Sequence, residues 1–119
     1  IGAAEFALLR AGARLVNVSR GPVVQTAALV AALESGRLAG AALDVFDVQP
    51  LPNGSPLLAF QQVVLSPHLA GITRDSMHRM SMVAAEQVLA MHKGQLPHHF
   101  INPEAQTQIL ARWSQLQIP

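Results

Sequence analysis

The sequence contains no cysteine, which excludes a disulfide framework and any thiolate chemistry while leaving the redox compartment open. Charge is scarce too: Asp, Glu, Lys and Arg make up 13% of the residues and aromatics 4%, against an apolar share of 50%. A domain of 119 residues buries only roughly two thirds of the surface its unfolded chain exposes. A surface this short of charge therefore implies neighbours that cover part of it. Eight Lys and Arg against seven Asp and Glu leave a net charge of +1, with no basic block or aromatic ladder, and this argues against a nucleic-acid partner. No window approaches the ~20 apolar residues of a membrane span, and the start, Ile1 to Phe6, has neither the basic opening nor the cleavage-type end of a leader. The expectation is a cytoplasmic chain that engages no membrane. It opens on Ile rather than Met, so it need not begin where its gene begins.

What is present is an alternation of short apolar runs and helical periods. Residues 2 to 11 read as a helix stopped by Gly12, and Leu15 to Ser19 as a strand entering a turn at Arg20-Gly21-Pro22. Residues 26 to 35 repeat apolar positions at helical spacing, with Thr26 as N-cap and Gly36 as stop. A second strand opens the stretch 41 to 50, which acquires Asp44, Asp47 and Gln49 before Pro50. Residues 51 to 62 hold Pro52, Asn53, Gly54 and Pro56 and read as a loop with at most one helical turn. Val63 to Ser66 is a third short run, closed by Pro67. A long helical pattern from Asp75 to His92 places Met80, Val83, Ala84, Val88 and Met91 on its apolar side, and Gln108 to Gln115 is a short amphipathic stretch with the only Trp.

Short apolar strands separated by helices predict an α/β fold, a parallel sheet with helices on both faces. In such sheets ligands sit beyond the carboxyl ends of the strands. The unusual polar residues stand just there: Ser19 and Arg20 after the first strand, Asp44 to Gln49 after the second, His68 after the third. An Arg presents a planar fork suited to a carboxylate, and a His exchanges a proton near neutral pH. Together they suit a small carboxylic acid held by Arg20 while a neighbouring carbonyl or hydroxyl exchanges a proton with His68.

Val16-Asn17-Val18-Ser19-Arg20-Gly21-Pro22, the run Ala31 to Gly40, Asp44-Val45-Phe46 with Gln49-Pro50-Leu51-Pro52, Ser55-Pro56-Leu57 and Ser66-Pro67-His68-Leu69-Ala70-Gly71 resemble the C-terminal part of the D-isomer-specific 2-hydroxyacid dehydrogenases. This group contains phosphoglycerate dehydrogenase and the glyoxylate/hydroxypyruvate reductases. The likeness runs from residue 1 to about Glu104, in order and at family spacing, and leaves residues 105–119 uncovered. It implies a Rossmann-like fold: residues 1–75 as the back half of an NAD(P)-binding domain, residues 76–104 as a long helix and segment returning toward a substrate domain, and 105–119 as a tail. The resemblance further implies Arg20 as the binder of the carboxylate and carbonyl of a 2-oxo acid and His68 as the proton donor. It implies Asp44 as the carboxylate that holds the nicotinamide carboxamide, and Val18, Ser19, Arg20, His68, Ala70 and Gly71 as lining the nicotinamide of NAD or NADP. The implied partner is a small 2-oxo or 2-hydroxy acid, in a homo-oligomer.

Two departures from the family pattern stand out. The Glu that pairs with the catalytic His belongs immediately before Pro50, and that position is Gln49. An amide can orient an imidazole but adds no charge that favours its protonated form, so reduction is expected to be weaker at neutral pH, with an optimum at lower pH than in a Glu-bearing relative. The second departure is the Gly-x-Gly-x-x-Gly phosphate turn, a spacing absent among Gly2, Gly12, Gly21, Gly36, Gly40, Gly54, Gly71 and Gly94. The isolated chain is therefore expected not to bind the dinucleotide tightly or to turn over. A non-catalytic module acting through association is the rival reading, and a fragment oligomerising through an open sheet edge is a third.

Bland roles compete at each position. Arg20 could cap a helix or pair with Asp47, His68 could be a satisfied loop histidine, and Asp44 could be a strand-end turn former. Adjacent His98 and His99 diverge and lack companion ligands, so no metal site is expected. Met77, Met80, Met82 and Met91 are expected to pack between elements, His78 and His92 to sit partly exposed on the long helix, and Trp113 to anchor the tail or stay exposed.

Overall fold

Three apolar runs form one parallel sheet in the computed structural model, which describes residues 1–115. The strands are β1 (Ala13–Asn17), β2 (Leu38–Leu43) and β3 (Val63–Leu65), in the spatial order β1-β2-β3. Helix α1 (Ala3–Leu8) precedes the sheet and α2 (Thr26–Glu34) joins β1 to β2. A 3-10 turn at Gly21–Val23 leads into α2, and a second at Pro56–Ala59 replaces a full helix between β2 and β3. Two units result, Ile1–Gly71 and Ile72–Pro119, and the sheet belongs wholly to the first.

The core of this unit follows from alternation along the strands. Leu15, Ala41, Leu43, Val63 and Leu65 face Phe6 of α1 and Leu29, Ala32 and Leu33 of α2, with Leu57 filling in from the 3-10 turn. Each fully buried Leu is worth roughly 1.5–3 kcal/mol relative to exposure. Val16, Ala42 and Val64 are register partners on the other face, where Val16 and Val64 stay exposed. Ala13 pairs with Leu38 and Arg14 with Gly40, so Ala39 is an extra residue, a bulge that lets Leu38 and Ala41 both point into the core. Gly40 is required there, because a Cβ on it would lie 2.6 Å from the carbonyl oxygen of Gln62.

The second unit contains α3 (Arg74–His92) and α4 (Gln106–Gln115), the latter entered through a 3-10 turn at Pro103–Ala105. A reciprocal cap starts α3: Thr73 Oγ1 accepts from the Ser76 N–H at 3.0 Å and Ser76 Oγ accepts from the Thr73 N–H at 2.9 Å. It ends as Gly94 takes a left-handed φ of 67° and the Gln95 N–H reaches the Ala90 carbonyl at 2.9 Å. The four methionines of α3 are exposed rather than packed, as are His78, His92, His98 and His99, while Trp113 is half-buried. Among the described residues no helix is long and apolar enough to cross a membrane.

Candidate active site

The register aligns Asn17, Leu43 and Leu65 in one row, so the three strands leave the sheet side by side. The ladder runs one step further, with the Asp44 N–H on the Asn17 carbonyl and the Ser66 N–H on the Leu43 carbonyl, both at 3.0 Å. The loops that follow hold every residue singled out for chemistry.

At the exit of β1 the organiser is Asn17, a buried amide. Its Oδ1 accepts from the Ser19 N–H at 3.1 Å and from the Ser19 hydroxyl at 2.8 Å, and its Nδ2 donates to the Arg20 carbonyl at 3.0 Å. These bonds turn the chain sharply and bring Gly21 against the loop after β2, where a Cβ would lie 2.1 Å from the Phe46 carbonyl carbon and oxygen. Only glycine fits. Val18 and Arg20 remain exposed, and Arg20 Nη1 donates to the Ser19 carbonyl at 2.6 Å. Asp47, the alternative partner weighed for Arg20, accepts from the Thr26 hydroxyl at 2.6 Å.

At the exit of β2 stands Asp44, only 3% exposed. Its Oδ1 accepts from the Ser66 hydroxyl in a short hydrogen bond and from the Leu69 N–H at 2.9 Å, and its Oδ2 accepts from the Ala70 N–H at 2.8 Å. The contacts reach 22 to 26 residues ahead, so Asp44 is not a local turn former. The Ser66 hydroxyl, opposed by the cost of burial and helped by the amides of Ala70 and Leu69 and by nearby His68, holds its carboxyl below the ordinary 3.8.

His68 follows β3 with φ at 61°, a left-handed conformation that costs a non-glycine residue roughly 1–2 kcal/mol. Its Nδ1 lies 3.1 Å from Gln49 Oε1. The Gln49 amide nitrogen donates to the Phe46 carbonyl at 3.4 Å, which turns Oε1 toward the ring. An acceptor facing Nδ1 places the ring proton there and leaves Nε2 for an exchangeable proton. Gln49 and His68 line an open cleft of about 610 Å³ whose apolar wall includes Phe46, Leu51, Leu58 and Leu65.

The structure thus pairs Gln49 with His68 and ties Asp44 to Ala70 through the Ser66 loop. Arg20 does not line the cleft, and its guanidinium folds back on its own turn. Ser19 is bound to Asn17, and Gly71 is exposed at the end of the His68 loop. Sequence reasoning passed over Asn17, Gly21 and Ser66 as site residues. The available signal for Asn17 was an amide between two valines at a strand end. For Ser66 it was a hydroxyl two positions before the histidine, which says nothing of the carboxylate it meets.

The family model described as D-isomer specific 2-hydroxyacid dehydrogenase, NAD binding domain, matches residues 1–70. The chain is 48% identical over 104 residues to a glyoxylate reductase of Aeropyrum pernix, covering 87% of this chain and 31% of the relative. A D-isomer specific 2-hydroxyacid dehydrogenase of Xanthobacter autotrophicus Py2, solved with NADPH and MES, is 43% identical with a TM-score of 0.75, over 86% of this chain and 41% of that one. An NADPH-dependent glyoxylate/hydroxypyruvate reductase of Sinorhizobium meliloti, solved with NADP and malonate, is 38% identical with a TM-score of 0.67, over 76% of this chain and 28% of that one. The chain spans about a third of the length of the curated relative it matches. Sheet order, strand-end loops and these likenesses agree: the chain belongs to the D-isomer specific 2-hydroxyacid dehydrogenase family and holds part of its Rossmann-like NAD binding domain.

Proposed function

We propose that the complete protein is an NAD(P)-dependent reductase of a small 2-oxo acid, cytoplasmic and homo-oligomeric, in which His68 supplies the proton and Arg20 holds the substrate carboxylate. The observation that carries this reading is the His68–Gln49 contact of 3.1 Å at the mouth of the cleft. With Nδ1–H donated to the amide, Nε2 of the protonated ring gives its proton to the carbonyl oxygen as that carbon is reduced, and takes it back in the reverse direction. Arg20 has a guanidinium that must leave the Ser19 carbonyl to fork onto a carboxylate.

The residues present fit one end of the cofactor. A carboxylate offers about four acceptor positions, and Ser66, Leu69 and Ala70 fill three of them on Asp44. The remaining one suits an amide N–H such as that of a nicotinamide, and the exposed side chain of Val18 offers an apolar wall. A reduced nicotinamide, when bound, supplies the hydride. Two solved relatives hold NADPH or NADP, which makes NADPH the first cofactor to assay.

The rival reading, a module that acts through association alone, is favoured by the amide at position 49 and by the Arg20 guanidinium bound to the carbonyl of its own turn. The deciding experiment expresses the longest reading frame containing residues 1–119 and follows nicotinamide absorbance with NADPH or NADH and glyoxylate or hydroxypyruvate. Turnover is expected, with His68→Gln lowering kcat by roughly 10²–10⁴ and Arg20→Lys raising KM for the acid. No oxidation of either nucleotide with either acid overturns the reading in favour of the association module.

A further inference from the structure

The loop that carries His68 is fixed by a residue from a different strand. Ser66 precedes Pro67, which confines Ser66 to extended backbone and locks its own φ, so the direction of the chain is decided at His68. Three bonds that hold the two sides of that residue end on one carboxylate. Asp44 takes the Ser66 hydroxyl from two positions before the histidine, and the Leu69 and Ala70 N–H groups from just after it. Satisfying all three donors at once requires the chain to reverse between Ser66 and Leu69, and the left-handed φ of 61° at His68 is that reversal. The same reversal brings Nδ1 to Gln49.

We propose that Asp44 and Ser66 are positioning residues for the proton-transfer step, a latch that selects the left-handed backbone of His68 and so aims its imidazole at Gln49. This rests on the reading of His68 as the acid/base and adds to Asp44 a duty separate from any contact with a cofactor. Ser66 acts through Asp44, to whose Oδ1 its hydroxyl donates. A buried carboxylate that merely stabilised the loop would affect folding without governing the state of the ring.

Two measurements separate these possibilities and keep the latch distinct from the enzyme reading. In the 119-residue chain, NMR reports the sign of φ at His68 through its one-bond Cα–Hα coupling, the ring tautomer through ¹⁵N shifts, and amide exchange at Leu69 and Ala70. Ser66→Ala is expected to erase the left-handed signature, mix the tautomers and speed exchange at both amides about ten-fold, the loss of one charge-assisted hydrogen bond. Ser66→Thr keeps the hydroxyl and restores all three, which guards against a variant that fails to fold. Unchanged coupling and tautomer in Ser66→Ala overturn the latch. In the longest reading frame, Ser66→Ala is expected to lower kcat about ten-fold at an unchanged KM for the nucleotide, with rescue by Ser66→Thr. A raised KM for the nucleotide at constant kcat assigns the pair to the cofactor site and overturns the positioning role. If Ser66→Ala changes the coupling and tautomer while the wild-type reading frame shows no turnover, the enzyme reading falls and the latch on the His68 backbone stands.

Discussion

Two exits from the same sheet are organised in opposite ways. After β1, the neutral amide of Asn17 shapes the turn from within, through contacts two and three residues away. After β3, the ionised carboxylate of Asp44 shapes the loop from a neighbouring strand. The first device needs only its own segment and responds to no proton. The second exists only once β2 and β3 are paired, and it depends on charge. Arg20 sits on the local turn and His68 on the distant clamp, so the histidine proposed as the acid is the one held by tertiary structure.

The largest effect tests the local turn at its tightest point. Gly21→Ala puts a Cβ 2.1 Å from the backbone of Phe46 and cannot be relieved by a flexible side chain. Chemical denaturation is expected to show a loss of roughly 3 kcal/mol or more. A loss below about 1 kcal/mol means that the loops after β1 and β2 are not in firm contact.

The contrast between the two devices is sharpest in acid. Asn17→Ala strands the Ser19 N–H and the Arg20 carbonyl and is expected to cost about 2 kcal/mol, equally at neutral and at acid pH. Asp44 behaves otherwise. Its folded-state carboxyl titrates below the ordinary 3.8, so its contribution is complete above that value and is lost as pH falls through the folded-state value. The gap in stability between wild type and Asp44→Asn is therefore expected to be open near neutral pH and to close in acid. A gap independent of pH, measured by denaturation across that range, removes the distinction between the two exits.

This division also explains what was legible in the sequence. Helix α2 was expected over 26–35 and forms at Thr26–Glu34, and β3 matches its apolar run closely, because both are set by local pattern. β1 was expected to end at Ser19 and ends at Asn17, since the Asn17 side chain draws Ser19 and Arg20 into a turn that strand propensity does not register. β2 was expected from residue 41 and starts at Leu38, because Ala13 on the partner strand offers a pairing that Gly36 to Gly40 do not advertise. α1 was expected over 2–11 and closes at Leu8, with Leu9 already extended. At the site, the motif placed His68 and Gln49 as a pair and the structure brings them within 3.1 Å. No local pattern could have indicated that Ser66 and the amides of Leu69 and Ala70 converge on Asp44, since that convergence is a product of strand order.

The smallest expected effect probes the only neutral link in the His68 arrangement. Gln49 presents an oxygen to Nδ1, as a carboxylate would, so Gln49→Glu conserves the geometry and changes only the charge. Both side chains are exposed, and solvent screens the added charge, so stability should move by well under about 1 kcal/mol. Proton delivery should respond, because a carboxylate beside the ring favours the protonated form proposed as the acid. The descending limb of the pH profile for reduction is expected to move upward in the variant. An unmoved limb would show that the amide at position 49 orients the ring without governing its charge, and would bring the His68 loop closer in kind to the uncharged turn at Asn17.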